Sequence, residues 1–383
     1  MTPTMNPIRL LPLAAAIIIA LLFGYCYQQQ QGVNAILLLI SVAMGITLFK
    51  GMFGFAGAYA RAFEHRDMSG IFAQIVMLVL ATLLFAPILA SGFVYDHEVV
   101  GAVAPLGVAL GIGAFLFGIG MQLGGSCASG SLFVAAGGNR RTLVVLVFFC
   151  IGAFVGSLHL SSWQALPHTD PISLADEYGW EVALPLQLSV LAGLYLLFSY
   201  WHKGSEKSLW WPQGFSWHAF IYGSWPLMLS AGLLAVLNWL TLLVAGHPWS
   251  ITWAFSLWGA KTAALLGWDP TSSDFWARDF QLNALQQPVL HDQTSLMNLG
   301  IFVGATLAAG ISKNFKLSGS ISFKSVICAA IAGILMGYGA RLAYGCNIGA
   351  FFSGISSTSL HGWLWIICAV PGCWLGLQIN KRL

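Results

Sequence analysis

The 383-residue chain is 58% hydrophobic and only 8% charged. A soluble domain covers its surface with about 25% charged residues, so this chain cannot be solvated by water alone, and lipid must be part of its solvent. A net charge of +3 with no long basic run offers no face for nucleic acid, and seven scattered cysteines, without CxxC or Cys/His spacing, give neither a disulfide scaffold nor a zinc site.

Apolar stretches of helix length lie at 10–26, 35–63, 69–91, 100–137, 141–162, 182–202, 217–245, 250–267, 293–311, 324–356 and 359–380. A crossing takes about 20 residues. The first stretch follows Arg9, and no small-x-small cleavage site precedes the Gln28–Gln31 run. It reads as a membrane helix, not a signal peptide. Stretches 35–63, 100–137 and 324–356 are too long for one plain helix, and each contains glycine; 250–267 is too short and could be re-entrant. Half-helices that meet inside the membrane explain both departures.

The loops divide by charge. Basic residues gather at Arg9, at Arg61 and Arg66, at Arg140 and Arg141, at Lys203 and Lys207, at Lys313, Lys316 and Lys324, and at Lys381 and Arg382. Loops 27–34, 92–99 and 163–181 have none, and loop 268–292 has only Arg278 among Asp269, Asp274, Asp279 and Asp292. Cytoplasmic loops carry the excess of Lys and Arg, so both termini are expected in the cytoplasm. Loops 163–181 and 268–292 are then external and are expected to be solvated covers.

A repeat separated by 219 positions carries most information: GIGMQLGGSCASGSLF from Gly118 to Phe133, and GYGARLAYGCNIGAFF from Gly337 to Phe352. The shared pattern is GxGxxLxxxCxxGxxF. The charged loops give the two copies opposite directions, the mark of an inverted-topology repeat, which builds transporters with sites at broken helices near the midplane. The expected fold is therefore an all-α membrane protein: one integral membrane domain over 1–383, a multi-spanning bundle with two inverted-topology repeats, halves at about 1–165 and 182–383, and broken or re-entrant half-helices.

In each copy the glycines before the cysteine are expected to let the helix unwind and let backbones approach. Unwound backbone at membrane depth is tolerated only where it is buried or lines a cavity. Residues after each cysteine can start a half-helix whose N-terminus favours an anion. The candidate path residues are Gly125, Ser126 and Cys127 from the first copy, and Arg341, Gly345, Cys346 and Asn347 from the second. Two soft thiols suit a sulfur-bearing anion better than a hard oxyanion or a cation. Asn347 either donates to substrate or caps the half-helix. Arg341 either holds an anion or pairs with carbonyls of the broken helix. Lys50 and Lys261 are the other charges within apolar stretches, and a buried membrane charge is a functional candidate by default. His361 reads as a cap or interface residue. Cys26, Cys150, Cys328, Cys368 and Cys373 read as packing, as do Met44, Met52 and Met121. No GxSxG, HExxH or Walker loop is present, so no enzyme, metal or cofactor is expected, and transport must draw on a gradient or on consumption of the solute inside.

The segment AGILMGYGARLAYGCNIGAFFSGISSTSLHGWLW (Ala332 to Trp365) resembles the signature of the YeeE/YedE sulfur-transport family, and FGIGMQLGGSCASG (Phe117 to Gly130) resembles its companion motif. The resemblance covers most of the chain from about residue 35. It implies a multi-pass bacterial inner-membrane importer of thiosulfate or a related sulfur compound, held in membrane lipid and working beside a small TusA-like cytoplasmic sulfur carrier. Some members are linked to selenium compounds. Members carry a third cysteine in the first broken segment, where this chain reads FAGAYA and has Ala56. Thiosulfate, another reduced sulfur anion and a selenium compound therefore stay open. A membrane thiol enzyme that relays sulfane sulfur or disulfide equivalents to a cytoplasmic carrier is the alternative.

Overall fold

The computed structural model of the chain describes residues 7–382, apart from 205–208, 212–213 and 320. Among the described residues, ten helical stretches are long and apolar enough to cross a membrane. Helix α1 (Pro7–Gln28) is followed by the interrupted pair α2 (Gly32–Gly51) and α3 (Phe55–His65). Next come α4 (Ser69–Ser91), a second interrupted pair α5 (Val108–Gly124) and α6 (Ala128–Ala136), and α7 (Arg140–Leu158). The same order then recurs: α8 (Trp180–Trp201), the pair α9 (Leu227–Ala245) and α10 (Thr252–Leu265), and α11 (Gln293–Ile311). It ends with α12 (Phe323–Leu342), a π-helical stretch Asn347–Phe352 running into a turn of helix at Ser353–Ser356, and α13 (Leu360–Arg382).

Two stretches divide differently from the sequence expectation. The run 217–245 is a short helix Trp217–Tyr222 and then α9, parted at Pro226. Proline lacks the N–H that would continue a helix and pushes the residue before it out of helical geometry. The run 100–137 becomes helical only at Val108, because Pro105–Gly107 pairs as an antiparallel ribbon with His168–Pro171. A second small ribbon joins Phe93–Val94 to His97–Glu98.

The loops sort to two ends as their charges suggest. At one end the Lys203 N–H donates to the Arg66 carbonyl at 3.0 Å, the Lys316 N–H donates to the Gly137 carbonyl at 3.1 Å, and Lys381 pairs with Glu64 at 3.0 Å. Lys207 lies outside the described residues. At the other end the Val100 N–H donates to the Gly246 carbonyl at 2.9 Å, and the Leu360 N–H donates to the Ile172 carbonyl at 3.0 Å. Loop 268–292 is no simple solvated cover. Trp276 is fully buried, and its indole N–H donates to Ser157 Oγ at 2.7 Å.

The motif glycines correct another expectation. Helices run unbroken through Gly118, Gly120, Gly337 and Gly339. These glycines bring backbones together instead. A Cβ on Gly113 would sit 2.7 Å from the Gly339 carbonyl oxygen, and one on Gly339 would land on the Gly113 carbonyl. Likewise Gly118 abuts the Ala369 carbonyl and Gly337 the Phe149 carbonyl. Membrane helices associate through such close packing because lipid leaves no hydrophobic drive between them.

Each interruption is turned by a residue with positive φ: Met52 (45°), Gly125 (75°), Gly246 (75°) and Tyr344 (58°). Gly125 has open space, with only Arg141 Nη1 at 3.8 Å from a built Cβ, whereas a Cβ on Gly345 would lie 2.7 Å from the Ala350 nitrogen. Gly125→Ala should therefore cost about 1–2 kcal/mol, the left-handed penalty alone. Gly345→Ala should lower the melting temperature further, because backbone must move. Thermal unfolding of the two variants in one detergent checks the order; equal shifts would refute it.

Candidate functional site

Interrupting a helix in an apolar setting leaves backbone donors and acceptors that must find partners. The two motif cysteines meet this need at their breaks. Cys127 has extended geometry and sits immediately before α6, and its Sγ accepts the Gly130 N–H at 3.3 Å and lies 3.3 Å from Ser129 Oγ. Cys346 precedes the π-helical stretch in the same way, and its Sγ accepts the Ile348 N–H at 3.4 Å. Both are N-caps, and both are 1% exposed. Ser126, beside Cys127, spends its hydroxyl on Ser131 Oγ at 2.8 Å.

Several of the other ends are tied by side chains. Arg141 donates through Nη2 to the Leu123 carbonyl at 2.7 Å and through Nη1 to Gly124 at 3.3 Å, closing the C-terminus of α5. At the α9–α10 break, Asn238 Oδ1 accepts the Trp249 N–H at 2.8 Å, Ser353 donates to the Trp249 carbonyl at 2.9 Å, and Asn298 donates to the Ile251 carbonyl at 3.0 Å. Lys50 and Lys261 also serve as caps. Lys50 Nζ donates to the Phe220 and Ile221 carbonyls at the end of helix Trp217–Tyr222, and Lys261 Nζ donates to the Leu285 and Gln287 carbonyls at the end of helix Asp279–Gln286.

Cys127 and Cys346 share one buried cluster. The backbone of Phe55, at the start of α3, lies against the Cys127 sulfur. Phe351 meets Phe55 edge-on with centroids 6.2 Å apart and stacks on Trp365 at 6.3 Å. Ala56 is buried, and its carbonyl accepts from Gln122 Nε2 at 3.1 Å. Gln122 also neighbours Cys373. The Tyr59 hydroxyl donates to Gln74 Oε1 at 3.1 Å and lies beside Asn347. Sequence reasoning passed over Gln122, Gln74 and Tyr59. Polar residues inside apolar helices were the available signal.

Two readings of the second motif are corrected. Asn347 does not cap the half-helix, because the preceding cysteine occupies that position. Its side chain is fully buried with neither Oδ1 nor Nδ2 partnered. Arg341 does not pair with carbonyls of the broken helix. It lies at the end of α12 with its guanidinium 4.4 Å from the Phe275 ring centre and 6.0 Å from Trp253, its Nε unpartnered. Arg278 approaches the same Phe275 ring at 6.0 Å. His361 is no interface residue: it is buried in the first turn of α13, with Nδ1 2.7 Å from Ser359 Oγ.

A family defined by sulphur transport matches residues 50–375, most of the chain. The chain belongs to this sulphur transport family. Two of its relatives are the thiosulfate transporter TsuA of Spirochaeta thermophila, 25% identical over 88% of this chain and 96% of the relative, and TsuA of Escherichia coli K12, 25% identical over 88% and 92%. The probable transporter YedE of Escherichia coli K12 is 35% identical, over 43% of this chain and 40% of its own length. The chain thus aligns with well under half of YedE and nearly all of TsuA.

For this sulphur transport family member, Asn347 gives a direct test of whether the centre is built for packing or for a ligand. A buried amide with no partner carries a penalty of about 1–3 kcal/mol. Asn347→Leu should therefore melt no lower than the wild type in the same detergent. A clear drop in melting temperature would show that the amide is already satisfied.

Proposed function

We propose that the chain imports a small sulfur-containing anion, thiosulfate or a close relative, past Cys127 and Cys346. The observation that carries this reading is the placement of sulfur at two N-caps, one in each copy of the repeated motif. Oxygen is the better cap, since Ser, Thr, Asp and Asn lead that position and sulfur is a weak acceptor. A thiol there gives up stability, and it places a soft donor at the N-terminus of each half-helix. Such a donor suits the terminal sulfur of a reduced anion, and the partial positive charge of the helix ends suits its negative charge. The Asn347 amide adds donor and acceptor groups, Gly345 supplies backbone that packs closely, and Gly125 and Ser126 turn the chain into Cys127. Arg341, with Arg278 across the Phe275 ring, forms a positive mouth on the side of Cys346.

The thiosulfate transporters among its relatives support thiosulfate. Ala56 replaces a cysteine that the family resemblance leads one to expect, so this path works with two motif sulfurs. On the positive-inside rule the end carrying Arg66, Arg140 and Lys381 faces the cytoplasm, with both termini on that side of the bacterial inner membrane and a TusA-like carrier as the receiving partner. The recurring order of elements supports two inverted halves, about 1–165 and 182–383.

Reconstituted in liposomes, the protein should take up labelled thiosulfate and not sulfate, and Cys127→Ala and Cys346→Ala should each abolish uptake. Normal uptake by both variants sinks the reading. Intact mass measured during turnover should show no added sulfur on either cysteine; a persulfide there would favour the thiol-relay enzyme. Arg341→Gln should raise the KM of uptake most at low salt, since a charge at the mouth attracts substrate over a Debye length of about 10 Å.

A further inference from the structure

Lys50 is 6% exposed, and it enters no ion pair among the described residues. Its Nζ donates to the Phe220 carbonyl at 3.1 Å and the Ile221 carbonyl at 2.6 Å, and it stands 5.5 Å from the centre of the Trp225 ring. These partners are dipoles and a quadrupole. They orient the ammonium without neutralising it, and an unneutralised buried charge is strongly disfavoured. The comparison with Lys261 is instructive. Lys261 caps a short helix in the same manner but has Asp292 within electrostatic reach. Lys50 has no such carboxylate among the described residues.

Beside Lys50 lies a cavity of about 380 Å³ at the basic end. Its polar lining includes Lys50, Lys316, Asn139, Asn314, Ser312 and Ser318, with no carboxylate among the described residues. Ser312 Oγ is buried there without a hydrogen-bond partner. Asn139 uses its oxygen to cap α7, accepting from the Thr142 N–H at 3.1 Å, so its remaining polar group is a donor. Two ammonium groups, amide donors and hydroxyls, with no competing acid, make a lining complementary to a small anion with several oxygens. The apolar lining includes Phe133, the last residue of the first cysteine motif, and Met52, which turns the first break. The cavity is thus continuous with the elements that hold Cys127.

We infer that this cavity is an inner oxyanion site, where an anion that has passed the cysteines is held between Lys50 and Lys316 before it leaves the basic end. The inference rests on the transport reading above and adds to it a second station, chosen by charge and oxygen geometry instead of sulfur chemistry. Lys50 supplies the fixed charge, locked by the carbonyls it caps. Lys316 is exposed and supplies a mobile charge that can leave with the anion's departure.

The test uses the full chain in a Cys127→Ala/Cys346→Ala background, so that the cysteine station contributes nothing to binding. Crystals of this protein soaked in selenate, a tetrahedral dianion with an anomalous signal, should show a selenium peak between Lys50 and Lys316. Equilibrium dialysis with labelled thiosulfate should show Lys316→Gln binding about three- to tenfold more weakly, with the difference vanishing at high salt. Lys316 is exposed, so glutamine there leaves the fold intact. Lys50→Gln should abolish the peak; if that variant does not fold, Lys316→Gln combined with Ser312→Ala replaces it. An empty cavity, or unchanged affinity in Lys316→Gln, overturns the inference, and a peak accompanied by unchanged affinity is binding at crystal concentration only and overturns it too. The wild type in liposomes separates this from the parent reading. Uptake with an empty cavity sinks only the inner site, whereas a filled cavity in a protein that moves no sulfur anion sinks the transport reading and leaves the site standing.

Discussion

The structure turns on one constraint: backbone that leaves a helix inside a membrane must be paired by something other than water. Four helix interruptions place such backbone inside the bundle, and side chains close three of them, while the α2–α3 break is closed by backbone bonds of Met52. Sulfur caps two half-helices, Arg141 closes the end of α5, and Asn238, Ser353 and Asn298 hold the α9–α10 break. Lys50 and Lys261 do the same for the short helices that flank the interrupted pairs. The Asn347 amide is one of the buried groups left without a hydrogen-bond partner among the described residues, and it lies next to one of the cysteines.

Much of this was legible beforehand. The repeat around Cys127 and Cys346 located two breaks, and excess length and glycine content marked the three long segments as interrupted. The shortness of 250–267 marked α10 as a half-helix. The distribution of Lys and Arg among loops foretold which loops share an end, because each loop's charge is local information. The role of the GxG pairs was misread in part. Glycine permits both unwinding and close approach, and which one operates depends on the carbonyl that another helix brings up, as Phe149 does for Gly337.

Residues whose roles depend on distant partners were hidden for the same reason. Arg141 looks like one of many loop cations, yet it reaches the end of the preceding half of its hairpin. Loop 268–292 looks solvated by composition, yet it buries Trp276 and presents Phe275 to two arginines. Arg341 was expected among carbonyls, and an aromatic face took their place. In each case the sequence names the chemical group, and only the packing of a second element names its counterpart.

The reciprocal contact of Gly113 and Gly339 has a bearing on how the two cysteine breaks are held. Helices α5 and α12, which lead into the two cysteine breaks, touch backbone to backbone there, and α12 is seated as tightly on α7 and α5 on α13. Side chains can slide or flex, but two main chains in contact have nothing left to compress. Tilting one of these helices against its neighbour would pry the contact open along its length. These helices therefore form a close-packed frame around the two cysteine breaks.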